Sequence, residues 1–392
     1  MKSVIKNFFY PKTIAVIGAS DNPLKVGNVL MRKLCECKRK VIPINPNHAT
    51  ISDKKAYPSV LKYPGKIELA VIAIPAEFVN SALIECGKKK INNVIVISAG
   101  FSETGNFNLE KQLLLTAKKY NISILGPNCF GVANPYLKLD TTFSNTSPLP
   151  GDIAFISQSG ALWSYISDFN FKFSGFVSLG NMAQLSFTDF IEYFSKDKKT
   201  KKIILYIEKL KQGKKFIEIC RKSKKQIIVV KAGKTKKGSQ AAISHTGSLA
   251  TEFKIYEGAF KQAKVKVVDS LAEAFGMKRE LIKFKNKPKK AKIITNAGGA
   301  AALITDYLTE QGIETQIKDL LGTALAKDYE HEIKKSKGQL IIVLTPQKMS
   351  EPTKTAEIVP KNAIACFLGD KSIKRAAKIL KHRNIKYYTR CC

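Results

Sequence analysis

The sequence predicts an α/β protein made of successive doubly wound parallel sheets. Short apolar runs of strand length recur along the 392 residues, each followed by a stretch of helical periodicity. Several of these runs are apolar throughout, as strands covered by helices on both faces must be. They end in turns rich in Gly, Pro, Ser and Asn, and open α/β sheets hold their ligands at that end, outside the strand carboxyl termini.

Thr13-Ile-Ala-Val-Ile is the first run. It ends in Gly18-Ala19-Ser20 and leads through Asp21-Asn-Pro into a helical pattern over Val26 to Leu34. Further strands are expected at Val41 to Ile44, Leu69 to Ile74, Val94 to Ser98 and Ser123 to Leu125, with helices around Phe78 to Lys88 and Leu109 to Lys118. A ligand would then meet Gly18, Ala19 and Ser20, Asn45 and Pro46, Pro75, the turn from Ser98 through Gly100 to Phe101, and Gly126 to Cys129 with Asn128. A nicotinamide dinucleotide fits poorly. The first turn lacks the G-x-G-x-x-G spacing, and the second strand ends in Ile44-Asn45-Pro46 without the carboxylate that holds a ribose. What remains is a nucleotide or phosphate site at a helix start, or a glycine that makes the turn and nothing more.

Asn134 to Gly151 has three prolines and no periodicity, and is read as a domain boundary. Beyond it, strands at Ile153 to Ile156, Phe176 to Leu179, Ile203 to Ile207 and Ile227 to Lys231 alternate with helices at Ala161 to Phe169, Phe187 to Phe194 and Phe216 to Ser223. The turn Ser157-Gln158-Ser159-Gly160 opens a helix with hydroxyls and a glycine, which suits either an anion or ordinary capping. Glu208 closes one strand, where its carboxylate could orient a histidine or meet a surface lysine.

A glycine- and lysine-rich stretch from Lys231 leads to Ala241-Ala-Ile-Ser-His-Thr-Gly-Ser-Leu-Ala. His245 is flanked there by small residues, and Thr246 and Gly247 leave room and donors for a phosphoryl group. A solvated loop histidine without a task is the plain alternative. After a lysine-rich link near Lys283 to Lys292, Ile293-Ile-Thr-Asn-Ala-Gly-Gly-Ala starts a third, smaller flavodoxin-like layer, with strands at Leu340 to Thr345 and Ala363 to Leu368. The expected domains are 1–135, 150–282 and 290–392.

Sixty-six Lys and Arg against 31 Asp and Glu give a formal charge of +35, but the lysines are scattered and not interleaved with aromatics, so a solvated surface is expected and nucleic acid is not. The eight cysteines form no Cys-x-x-Cys pairs; reduced thiols and no metal site are expected. No apolar run has the length of a membrane span, and the segment from Met1 to Pro11 lacks the features of a signal peptide, so a cytoplasmic, membrane-free protein is expected.

Thr13-Ile-Ala-Val-Ile-Gly-Ala-Ser, Pro43-Ile-Asn-Pro, Ile97-Ser-Ala-Gly-Phe-Ser-Glu, Leu125-Gly-Pro-Asn-Cys-Phe-Gly, Phe155-Ile-Ser-Gln-Ser-Gly-Ala-Leu, Ser178-Leu-Gly-Asn, Ser244-His-Thr-Gly-Ser-Leu-Ala and Thr295-Asn-Ala-Gly-Gly together resemble the alpha subunit of ADP-forming acyl-CoA synthetases, the acetate–CoA ligases related to succinyl-CoA synthetase. The resemblance runs through nearly the whole chain in the family's order. It implies a Rossmann-like coenzyme A-binding domain followed by two flavodoxin-like domains, the last one trimmed. It further implies that Gly18, Ala19, Ser20, Asn45, Pro46, Pro75, Ser98 and Gly100 hold coenzyme A, with Asn128 and Cys129 near its thiol end. His245 would be the phosphorylated histidine and Glu208 its holder, and Ser157 to Gly160 with Thr246 and Gly247 would cradle the phosphoryl group.

The implied reaction is reversible: acyl-CoA, inorganic phosphate and ADP give carboxylic acid, CoA and ATP through an acyl phosphate. No stretch resembles an ATP-grasp module, and there is no Walker loop. An ATP-grasp beta subunit carrying ADP or ATP with Mg, and hence a hetero-oligomer, is therefore expected. The chain departs from the family at Asn181-Met182-Ala183-Gln184, where Asn-Lys-Ala-Asp is usual, and at Asn296-Ala-Gly-Gly, where Pro-Gly is usual. A CoA-binding regulatory paralogue without catalysis, and after it an NAD-dependent oxidoreductase, are the competing expectations.

Overall fold

The computed structural model describes residues 2–238 and 253–392. Helix α1 (Lys2–Phe9) precedes a five-stranded parallel sheet of β1 (Thr13–Ile17), β2 (Lys40–Ile44), β5 (Leu69–Ile72), β6 (Asn93–Val96) and β7 (Ser123–Leu125). A hairpin of β3 (Thr50–Ile51) and β4 (Lys54–Lys55) follows β2, and helices α2 (Val26–Cys35), α3 (Ala76–Lys88) and α4 (Phe107–Tyr120) cross between strands. Ile14 and Val16 of β1 enter one core and Ala15 and Ile17 the other. That two-sided burial explains why the strand reads as an unbroken apolar run. The sheet order β2-β1-β5-β6-β7 reverses direction at β1, so a crevice opens between the ends of β1 and β5. Gly18 turns there with φ +92°, and a Cβ on it would stand 2.4 Å from the Ala73 carbonyl oxygen.

The second sheet has seven strands in the order β14-β13-β12-β10-β11-β8-β9. These are β8 (Val132–Asn134), β9 (Leu139–Asp140), β10 (Leu149–Ser157), β11 (Lys172–Ser178), β12 (Lys202–Ile207), β13 (Gln226–Lys231) and β14 (Lys266–Val268). Helices α5 (Ala161–Ser167), α6 (Phe187–Lys196), α7 (Gly213–Lys222), α8 (Phe253–Ala263) and α9 (Leu271–Ala274) belong to this unit. Here the structure differs from the pattern. The start of the stretch read as a boundary, Asn134 with Leu139 and Asp140, joins the antiparallel edge of this sheet, where β8 is bonded to both β9 and β11. Strands of two and three residues are too short to carry a period, so their pairing is visible only in three dimensions.

The third sheet runs β16-β15-β17-β18-β19, a flavodoxin-like order, from β15 (Lys290–Thr295), β16 (Glu314–Asp319), β17 (Gln339–Leu344), β18 (Ile364–Phe367) and β19 (Lys386–Tyr388). Its helices are α10 (Gly298–Glu310), α11 (Ala326–Lys334), α12 (Pro352–Ile358) and α13 (Lys374–His382). The edge strand β16, Glu-Thr-Gln-Ile-Lys-Asp, has no fully buried residue and gave no apolar signal. One hydrophobic cluster extends through all three units. Buried polar contacts add direction: Asp168 accepts the Ser372 hydroxyl at 2.6 Å and the Asp370 amide at 2.8 Å, joining the second unit to the third. No described helix is long and apolar enough to cross a membrane.

Candidate active site

A cavity of about 950 Å³ opens at the strand ends of the first sheet and reaches the second and third units. Gly18, Ala19 and Ser20 form one wall of it, Asn45, Pro46 and Pro75 another, and Ser98, Asn128 and Cys129 lie deeper. Short-range bonds hold these turns. Asn45 donates to the Ala19 carbonyl at 2.8 Å, so the second strand's end braces the first turn. The Ser98 hydroxyl donates to the Ile74 carbonyl at 2.5 Å and accepts the Ile74 amide at 3.2 Å, which ties β6 to β5 beside Pro75. The Asn128 amide donates to the Ser98 carbonyl at 2.9 Å. Gly100 does not line the cavity; its amide donates to Glu103 at 2.5 Å, and the Glu103 side chain faces the cavity in its place.

Cys129 is buried, its thiol directed at the Val96 carbonyl 3.3 Å away. Burial pushes that thiol up to about 12. It therefore packs as a small apolar group and is not a thiolate nucleophile at neutral pH.

The far end of the cavity is lined by Gln158, Ser159 and Gly160. Ser157 lies behind them, fully buried, with its hydroxyl donated to the Ser159 carbonyl at 2.5 Å. The Gln158 side-chain oxygen accepts the amides of Glu208 at 3.0 Å and Lys209 at 2.9 Å, fastening the end of β10 to the end of β12. Ser159 is 1% exposed, and its hydroxyl has no hydrogen-bond partner within the described protein. Facing it is the start of α10: a Cβ on Gly299 would come within 2.6 Å of the Ser159 oxygen. Tyr206 holds that start by donating to the Gly299 carbonyl at 3.0 Å. Asn296, Ala297 and Gly298 complete this end of the cavity. The sequence offered their Gly-Gly turn as a strand end of a separate layer; only the packing of the third unit on the second brings it to Ser159.

Glu208 is buried just past β12 and does not line the cavity. Burial first, and then the Glu208 charge, raise the Tyr206 hydroxyl well above its ordinary range. Lys231, registered opposite Ile207, shares this neighbourhood. Burial lowers its ammonium to about 8 against the opposing pull of Asp306 and Glu208, and its Nζ sits 4.4 Å from the Tyr256 ring centre. His245, Thr246 and Gly247 lie outside the described residues.

Asn181, which keeps the family's residue, and Gln184, which departs from it, are both used within the chain. Asn181 donates to Glu103 at 2.6 Å and Glu110 at 2.9 Å, and Gln184 accepts the Ile124 amide at 2.6 Å. They clamp the second unit to the first, beside the cavity. Lys25, Glu103, Phe130, Phe143 and Asp319 also line the cavity and were not singled out from sequence. Glu103 was visible in the Ser-Ala-Gly-Phe-Ser-Glu turn and Phe130 in the Gly-Pro-Asn-Cys-Phe-Gly turn; Lys25, Phe143 and Asp319 come from other parts of the chain.

Residues 12–135 match a CoA binding domain, and residues 150–281 match the succinyl-CoA ligase like flavodoxin domain. The chain is 36% identical to the alpha subunit of ADP-forming acetate–CoA ligase I of Pyrococcus furiosus, over 98% of this chain and 94% of that one. It is also 36% identical to ADP-forming acetate–CoA ligase I of Archaeoglobus fulgidus over 97% of its length, but spans only 61% of that protein. Among solved structures, acetyl-coenzyme A synthetase 1 of Ca. Korarchaeum cryptofilum, in complex with phosphate and ADP, shares 31% identity with a TM-score of 0.68, covering 99% of this chain and 94% of that one.

Proposed function

The chain belongs to the succinyl-CoA synthetase-like family of ADP-forming acetate–CoA ligase alpha subunits, and from that premise we propose that it interconverts acyl-CoA and phosphate with free acid and CoA, passing the phosphoryl group to ADP through His245. In this reading the first-unit turns from Gly18 to Ser20 and around Asn45, Pro75 and Ser98 hold coenzyme A. Phosphate lies at the far end, against the Ser159 hydroxyl and the first amides of α10, where a helix of 13 residues presents free N–H groups and the positive end of its dipole. A phosphate oxygen attacks the thioester carbonyl, the C–S bond breaks, and CoA leaves with a proton as the thiol. A nitrogen of His245 then attacks the phosphorus of the acyl phosphate and the carboxylate departs. Glu208 accepts the proton on the other imidazole nitrogen, which keeps the attacking nitrogen's lone pair available.

The observation that carries this reading is the buried, unpartnered Ser159 hydroxyl facing a helix start, at one end of a cavity whose other end is a glycine turn. Such a donor is costly to bury without an acceptor. The nucleotide, with its Mg, is assigned to an ATP-grasp partner subunit, since no stretch of this sequence resembles an ATP-grasp module or a Walker loop. The test mixes this chain with that partner, acetyl-CoA, ADP and labelled phosphate. ATP formation should require both chains, and label that is acid-labile and alkali-stable should appear on this one and vanish in His245→Ala. CoA binding without any phosphoenzyme would instead mark a regulatory paralogue.

A further inference from the structure

We infer that the pair Phe130 and Phe143 sets which acyl groups enter this site, restricting it to compact, uncharged ones. The inference rests on the reading above, in which the far end of the cavity holds the reacting carbonyl. The two rings lie 3.7 Å apart between centroids, tilted by 37°, and both line the cavity. Phe130 is 3% and Phe143 9% exposed, so neither ring is free to swing into solvent. Their position follows from Gly160. A Cβ there would stand 2.4 Å from the Phe130 Cβ, so the ring rests directly on the residue after Ser159.

A thioester carbonyl attacked by phosphate must lie about 3–3.5 Å from the attacking oxygen. With phosphate at Ser159, the acyl substituent projects toward the Phe130 and Phe143 rings. The small residues Ala161 and Ala297 leave room beside them for a short chain.

The backbone carrying each ring is held from outside the cavity. Phe130 donates its amide to the Ser178 hydroxyl at 2.9 Å. The Phe143 carbonyl accepts the Lys348 amide at 3.1 Å, so its backbone is held by the third unit. Buried rings in contact on a backbone held in this way cannot yield cheaply to a bulky acyl group, because shifting one would disturb the packing between units.

Charge narrows the class further. The charged side chains lining the described cavity are Lys25, Glu85, Glu103 and Asp319. Lys25, the one cation among them, immediately precedes α2 at the glycine-turn end. Asp319 closes β16 in register with Thr295, next to the Asn296-Ala-Gly turn. Among the described lining residues, a second carboxylate on the acyl group would therefore meet an acid and no side-chain cation at the reacting end, which disfavours its burial there.

The test is calorimetric titration of the full chain with CoA, acetyl-CoA, phenylacetyl-CoA and succinyl-CoA. The native chain should bind phenylacetyl-CoA and succinyl-CoA at least about tenfold more weakly than acetyl-CoA, within the range that pocket fit and unpaired charge supply. Phe143→Ala should shrink the phenylacetyl gap about tenfold and leave the succinyl gap in place, because one is steric and the other electrostatic. Phe143→Leu, a milder change should the alanine variant fail to fold, should shrink the phenylacetyl gap in the same direction. Equal affinity of the native chain for acetyl-CoA and phenylacetyl-CoA, or a gap that neither variant alters, overturns the inference while leaving the cavity a CoA site. Failure of the native chain to bind CoA or acetyl-CoA removes the underlying reading, and this inference with it.

Discussion

Asp306 accepts the Thr235 hydroxyl at 2.8 Å, and the same carboxylate takes the amides of Gly233, Lys234 and Thr235 at 2.7, 3.0 and 2.9 Å. One acid from the third unit thus satisfies an entire turn of the second, just after β13. Charge-assisted bonds to a buried carboxylate are the strong kind, and unmaking them strands several donors at once. Asp306→Ala is expected to destabilise the chain by about 2–4 kcal/mol in urea unfolding, since buried amides left unpaired cost about 1–3 kcal/mol each and water will reach some of them. Gly238→Ala should also be destabilising, because its Cβ would fall 1.9 Å from an Asp306 oxygen.

Lys33 and Asp140 form a second buried junction, between α2 of the first unit and β9 of the second. Their charged atoms are 2.7 Å apart with side chains 10% and 5% exposed, and Lys33 also donates to the Ser144 hydroxyl at 2.8 Å. Lys33→Met alone leaves an uncompensated buried carboxylate and is expected to cost about 3–5 kcal/mol. Combining it with Asp140→Leu should recover most of the loss in denaturant melts.

Lys231 gives a pH dependence with a definite sign. Its folded value of about 8 lies below the ordinary 10.5, so the folded chain releases this proton first. Its burial penalty is fully present below about pH 8, and stability rises as pH climbs from there toward 10.5. The native-minus-variant difference against Lys231→Met, followed by denaturant midpoint, should therefore increase across that window; a flat difference would contradict the burial assigned to this ammonium.

Thiol reactivity separates the cysteines. Cys35 is exposed, whereas Cys86 and Cys129 are buried and each is pushed up to about 12. At pH 8 iodoacetamide should label Cys35 in the native chain and spare the other two, as read by peptide mass spectrometry.

Residue pattern alone determined the strands that are buried on both faces. Thr13–Ile17 and Lys202–Ile207 are apolar runs because their surroundings are apolar on every side, and the Gly, Ser and Asn residues closing such strands marked one wall of the cavity. Elements whose stability is borrowed from neighbours were not legible. The short strands β8 and β9 are buried but too brief to show a period, and the half-exposed β16 has no apolar run; in each, pairing with sheet neighbours reveals the strand.

The same division runs through the site. Ser159 was visible as a hydroxyl in a glycine turn, but that its hydroxyl is buried against the start of α10 was settled by packing between units, across residues about 140 apart in the chain. That Phe130 lies against Gly160 and Phe143 against Phe130 likewise follows from packing between the units. Local sequence fixes which backbone can form, whereas a cavity wall is assembled from side chains that meet only after the units have docked.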